Sequence, residues 1–265
     1  MIKRKAYAKV NLFLDVQKKR SDGYHEIKTL MQKINLFDEL CFDIKAQSTD
    51  DYLNNIFLSS NRKYLPNDEN NLCFKAIKYF KKQFDIKDDI HLHLIKNIPV
   101  SAGLAGGSSD CYECIRFMNE YYKLKLDIKE LQHIANQYGS DISFFSCKKT
   151  ALCEGRGEII TELKAIDYLK IKIDTVNIRV STKEVYDLYD KETMVNHNLE
   201  ISNIIDAINK NDIHKLCDNC FNSLELVTTK LHPIINDIKQ KNIKNGALLS
   251  MMSGSGPTVF SIYPN

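Results

Sequence analysis

Short runs of alternating apolar and polar residues are interspersed along the chain with stretches of helical period. Residues 8–16 alternate, with Val10, Leu12, Leu14 and Val16 to one side and Asn11, Phe13 and Asp15 to the other, predicting a half-buried strand. Strand-like pieces follow at 40–44 and 56–58, with a turn signal at Ser21-Asp22-Gly23. Leu72, Ala76, Phe80 and Phe84 recur every four residues and predict an amphipathic helix. Residues 90–95 alternate again. A loop rich in small residues, 99–109, then opens a helix through Tyr122. Asp127 with Glu130 three residues on has capping-box spacing and starts a helix that stops near Gly139.

The second half carries helices capped at Ser181/Thr182, at 201–210, at 212–228 and from Pro233. A strand–turn–strand closes it, GALLSMMSGSGPTVFSIY. Strands precede, separate and follow single helices, which indicates an α+β fold rather than a regular βαβ series. The pattern changes near 150–160, so two domains are expected, 1–155 and 156–265.

Composition narrows the partners. The 265 residues carry Lys+Arg 37 against Asp+Glu 34, a net charge of +3, with only six arginines. No dense basic patch points to nucleic acid or an anionic membrane. No run reaches the roughly 20 apolar residues of a membrane span. Lys9, Asn11 and Asp15 break the apolar part of the N-terminus, which does not read as a signal peptide. A cytoplasmic location with eight reduced cysteines is expected, and composition assigns no oligomeric state.

The richest chemical signal is the loop Pro99, Val100, Ser101, Ala102, Gly103, Leu104, Ala105, Gly106, Gly107, Ser108 and Ser109. Small side chains let backbone N–H groups approach an anion, and a helix N-terminus adds unpaired donors and partial positive charge. The loop suits a polyphosphate; a turn that merely caps a helix is the plainer alternative. It lacks the Gly-Lys-Ser/Thr of a Walker loop, and neither it nor the Gly254–Gly256 turn contains GxGxxG.

This loop resembles the central motif of the GHMP kinases. Lys9-Val-Asn-Leu-Phe-Leu14 resembles their N-terminal motif, and Met252-Ser-Gly-Ser-Gly-Pro-Thr258 their C-terminal glycine motif. Asp22-Gly-Tyr-His-Glu26 resembles the signature of the branch that works in non-mevalonate isoprenoid synthesis. Segments 139–145, 155–158, 180–186 and 222–225 fit the same branch, so the likeness spans residues 6–262. Ala105, Cys111-Tyr112 and Ile142-Ser143 depart from the family pattern; Ala105 is strained if its φ is positive.

The resemblance implies a two-domain fold with the active site in the cleft between domains. It also implies transfer of the ATP γ-phosphoryl group to the 2-hydroxyl of a methylerythritol unit carried on cytidine diphosphate. Asp141 would take the hydroxyl proton, although an aspartate after Gly139-Ser140 can also simply cap a turn. Lys9 would keep Asp141 ionised and offset developing charge, where an ordinary strand lysine would snorkel to the surface. Asn11 would bind the methylerythritol hydroxyls. Tyr24 and Tyr186 would sandwich the cytosine, His25 would hydrogen-bond its edge and Thr182 would line the same pocket; packing is the alternative for both tyrosines. Asn71, Leu72 and Lys96 would join the loop in holding ATP. Mg²⁺ is expected with ATP, bound mainly by phosphates and water, because no carboxylate cluster marks a protein-held metal site.

Cys111-x-x-Cys114 and Cys217-x-x-Cys220 could form a four-thiolate zinc site, but both pairs fall in helices where packing explains them. His91 and His93 share a strand face without a third ligand. The competing functions are another GHMP kinase, of homoserine or mevalonate type, and a non-catalytic nucleotide- or zinc-binding module.

Overall fold

The computed structural model describes residues 1–49, 51–192 and 200–264. They form two compact units, each discontinuous in sequence. The first comprises Met1–Ala8, Asn35–Val100 and Ala105–Ser146; the second comprises Lys9–Ile34, Ser101–Leu104 and Cys147–Asn265. Strands β1 (Ile2–Lys19) and β2 (His25–Lys45) contribute residues to both. A division by compactness therefore differs from the expected linear boundary at 155/156.

In the first unit, β3 (Ile56–Ser60) runs parallel to β4 (Asp89–Ile95), and β4 runs antiparallel to the end of β2. Leu40 pairs with Leu94, Phe42 with Leu92 and Ile44 with Ile90, so period-2 alternation collects the large side chains on one face. Helices α1 (Leu72–Gln83) and α2 (Gly106–Tyr121) cover that face. Phe42 stacks on Phe117 of α2 with centroids 3.7 Å apart, and Ala76, Ile77 and Phe80 of α1 are fully buried. The helix α3 (Ile128–Asn136) starts at Asp127 with the expected capping box. Phe84 lies just past α1, as its C-cap.

The second unit holds β5 (Thr150–Gly155), antiparallel to the start of β2, and β6 (Ile159–Leu163), antiparallel to β5. A separate antiparallel sheet has the order β7 (Lys170–Asp174), β10 (Val259–Tyr263), β9 (Leu249–Met252). Between them lie α4 (Thr182–Tyr189), α5 (Ile201–Lys210), α6 (Ile213–Asp218), the short β8 (Phe221–Asn222), α7 (Glu225–Leu231) and α8 (Ile234–Lys244). Leu14, Val16, Ile27, Val185, Leu224, Val227, Ile235, Met252 and Val259 form their common core. Among the described residues, no helix is long and apolar enough to cross a membrane.

Two expectations need correction. The strand at 8–16 is buried on both faces from Ala8 to Leu14 rather than half-buried. Its polar side is covered too, Phe13 by Phe221 and Asn11 by Thr29. The helix expected over 212–228 is instead α6, β8 and α7. Asn222 breaks it: its amide donates to the carbonyls of Met252 and Gly254 at 2.8 and 2.9 Å and accepts from the Leu224 N–H. Phe221 and Asn222 pair in parallel with Phe13 and Leu14 of β1, a contact that local periodicity cannot announce.

Candidate active site

In the first unit, α2 begins on Ala105 in the left-handed conformation, φ 55°, with no side-chain cap and no acidic residue in its first turn. The first helical N–H groups lack intrahelical acceptors by construction; the Ser109 N–H is the one that closes onto Ala105. A side chain at Gly107 would meet nothing within 4 Å, so the helix end is open there. Gly106 is packed hard: a Cβ would come within 2.9 Å of the Ile98 side chain. Ser109 is buried and Ser108 half-buried. The positive φ of Ala105 is the strained case anticipated from its departure from glycine.

Lys96 is 4% exposed and its ammonium lies between two carboxylates, Asp38 and Asp110, the latter at 2.5 Å. Asp38 also accepts from the N–H groups of Asn97 and Ile98. Burial alone would lower the Lys96 pKa; the two acids reverse that and hold it above the ordinary range. Burial pushes the Asp110 carboxyl up, against the pull of Lys96. One cation thus joins the end of β4 to the start of α2. Asn71 acts as the N-cap of α1, accepting from the Cys73 N–H at 2.9 Å and donating to the Pro66 carbonyl. Leu72 is the first residue of that helix.

Asp141 is half-buried in the turn after α3, which the Ile142 N–H closes onto the Gly139 carbonyl at 3.2 Å.

In the second unit, the Lys9 ammonium donates to Asn11 Oδ1 at 2.6 Å and to the Gly103 carbonyl at 3.2 Å. Asn11 donates to Thr29, whose hydroxyl donates to the Phe13 carbonyl. The Lys9 N–H holds the Leu104 carbonyl, and the Ser253 hydroxyl donates to the Gly103 carbonyl at 3.0 Å. Gly103, at φ 76°, is backed so closely by Ser253 that a Cβ would fall 2.1 Å from its carbonyl oxygen. Residues 101–104 are thereby gripped by β1 and by the turn after β9. Pro99 and Val100, the latter exposed, precede this stretch, and Ala102 is buried within it.

A second constellation in the same unit gathers the predicted base-recognition residues. His25 is 8% exposed, and its ring lies 5.1 Å from that of Tyr186. Tyr24 is exposed, with the Arg156 guanidinium 5.1 Å from its ring centroid, a cation–π distance. Thr182 exchanges a hydrogen bond with Ser255 at 2.8 Å. Sequence reasoning missed Asp190, which binds both His25 and Lys19. It also missed Asp38, Asp110, Ser253 and Ser255; the last two lie inside the recognised glycine motif, where a signal existed.

Cys111 and Cys114 are fully buried in α2, and burial pushes both thiols well up, with Cys73 as a neighbour. Such thiols are packing groups rather than ready thiolates. His91 stacks on Phe57, and His93 bonds to Ser59.

A model described as GHMP kinases N terminal domain matches residues 71–149, and one described as GHMP kinases C terminal matches 204–265. The chain is 42% identical over 259 residues to a 4-diphosphocytidyl-2-C-methyl-D-erythritol kinase of Clostridium botulinum (strain Eklund 17B / Type B), covering 98% of this chain and 90% of the relative. A kinase of the same name from Caldicellulosiruptor bescii is 39% identical, covering 100% and 90%. A crystal structure of 4-(cytidine 5'-diphospho)-2C-methyl-D-erythritol kinase superposes with TM-score 0.79 at 27% identity, covering 98% and 90%. A homoserine kinase from Cytophaga hutchinsonii shares the fold, with TM-score 0.77 at 18% identity and coverage of 99% and 85%.

Proposed function

The chain belongs to the GHMP kinase family, in its 4-diphosphocytidyl-2-C-methyl-D-erythritol kinase branch, and on that premise we propose how its residues transfer the ATP γ-phosphoryl group to the substrate 2-hydroxyl. The observation that carries the reading is identity of about 40% over nearly the whole chain to relatives of one name. The His25–Tyr186 arrangement supports it, because a pyrimidine offers a π-face to stack and a polar edge to read.

Phosphoryl transfer needs alignment and charge neutralisation more than covalent help from the protein. The open N-terminus of α2 and the backbone of the 99–109 loop hold the ATP phosphates. Lys9 supplies positive charge for the transferring group. Asp141 accepts the proton of the 2-hydroxyl as the new O–P bond forms and the terminal anhydride bond breaks, releasing ADP. Lys96, engaged by Asp38 and Asp110, acts on the nucleotide through the helix it anchors. Tyr24, His25, Thr182 and Tyr186 bind the cytidine, and Asn11 the methylerythritol.

Mg²⁺ accompanies ATP in such reactions and shields its phosphates. Among the described residues, no group of three His, Cys, Asp or Glu side chains is placed to hold a metal ion, and no step is assigned to one. The enzyme works in the cytoplasm on small molecules, without nucleic acid or membrane.

ADP release is the test, measured with ATP and the cytidylyl substrate against homoserine and mevalonate. Turnover confined to the cytidylyl substrate is expected. Turnover with either of the others, or with none, overturns the reading.

A further inference from the structure

Lys19, His25, Tyr186 and Asp190 form a constellation whose most informative member comes from no recognised motif. Asp190 follows α4 and divides its carboxylate between two neighbours. Oδ1 lies 2.6 Å from His25 Nε2, and Oδ2 lies 2.5 Å from Lys19 Nζ. The Lys19 bond, and after it that of His25, holds the Asp190 carboxyl below the usual carboxylate range. An ionised carboxylate can only accept, so His25 Nε2 carries the proton. In the neutral ring Nδ1 then presents a lone pair. Among the described residues, that nitrogen makes no hydrogen bond.

We propose that Asp190 is the positioning residue that sets the base specificity of this pocket. Through Nε2–H it fixes His25 with Nδ1 as an acceptor, and the pocket thereby selects a 4-aminopyrimidine over its 4-oxo counterpart. This rests on the reading above that the pocket takes the cytidine. A 4-amino group donates to Nδ1; a 4-oxo group sets lone pair against lone pair and leaves both unsatisfied.

Lys19 makes the charge of Asp190 matter. An asparagine there would offer one oxygen and one NH₂ group to the same two neighbours. The Lys19 ammonium has no lone pair and takes the oxygen. The NH₂ then faces His25 Nε2, which must accept, and the ring proton moves to Nδ1. Asp190→Asn therefore inverts the tautomer rather than merely weakening a contact.

Two measurements test this. The first is ¹⁵N NMR of the histidine rings at pH 9, well above the ordinary imidazole pKa of about 6.5, with His25→Ala assigning the signal. The wild-type protein should show Nε2–H, and Asp190→Asn should show Nδ1–H. An Nδ1–H signal in the wild type, or an unchanged tautomer in the variant, overturns the proposal. The second is calorimetric binding of CDP and UDP. The wild type should favour CDP by at least ~10-fold, the scale of one unmet buried hydrogen bond. Asp190→Asn should abolish or reverse that preference and raise KM for the cytidylyl substrate without moving KM for ATP. Equal binding of CDP and UDP by the wild type, or an unaltered ratio in the variant, overturns it. If CDP selectivity and the tautomer hold while no ADP is released, the failure lies in the kinase reading and not in Asp190.

Discussion

Two helices of the same unit begin in opposite ways. α3 is sealed: Asp127 accepts from the Glu130 N–H at 2.9 Å, and Glu130 accepts from the Asp127 N–H at 2.7 Å. α2 starts on a left-handed alanine with no side-chain cap, no acid in its first turn and open space beside Gly107. Both ends carry the same backbone dipole. The sealed one satisfies its donors internally for stability; the open one has no side-chain cap to take them. Packing adds that the open end is anchored from behind, by Gly106 on Ile98 and by Lys96 between Asp38 and Asp110.

The contrast can be broken experimentally, most severely at the carboxylate just past the sealed helix. Asp141→Asn should lower turnover by at least ~10²-fold, the scale for a positioned acid/base group, with stability little changed. Near-wild-type kcat would remove Asp141 from the chemistry. Closing the open end comes next. Gly107→Asp places an acid where nothing obstructs it and should raise KM for ATP by at least ~10-fold, since like charges brought together in a binding site cost several kcal/mol. Melting should be unchanged or slightly higher, as an acid at a helix N-terminus contributes about 0.3–1 kcal/mol. Unaltered ATP affinity would mean that this end holds no phosphate.

Opening the sealed end should do the reverse. Asp127→Ala should cost about 1 kcal/mol in denaturant unfolding and leave KM for ATP alone. The smallest effect is expected at Ala105. A left-handed alanine costs about 1–2 kcal/mol, but glycine loses about 0.5–1 kcal/mol more backbone entropy on folding. Ala105→Gly should therefore stabilise by only about 0.5 kcal/mol, and a destabilised variant would show that the strain is relieved elsewhere.

The two ends also differed in how they could be read. The capping box at Asp127 is local chemistry over three residues, and it formed as expected. The open end was legible as a run of small residues before a helix, but its anchor was not, because Asp38 and Asp110 stand 58 and 14 positions from Lys96. Lys96 looked like a phosphate ligand; its burial between two acids makes it a tie between strand and helix. Likewise, the segment around Asn222 carries helical period, yet β1 and the turn after Met252 draw it into a strand.

By itself the amino-acid sequence determined the α+β class, most helix starts, the small-residue loop and the set of motifs that places the chain in its family. These depend on spacings of a few residues, where side-chain period and capping act directly on the backbone. Only the tertiary structure decided that β1 is buried on both faces from Ala8 to Leu14, that Ala105 is left-handed, that Lys96 is neutralised from two sides and that Asp190 meets His25 across 165 positions. Hydrogen bonds and ion pairs of that reach carry no periodic trace along the chain. They arise when burial makes an unpaired polar group costly and folding brings a partner within 3 Å.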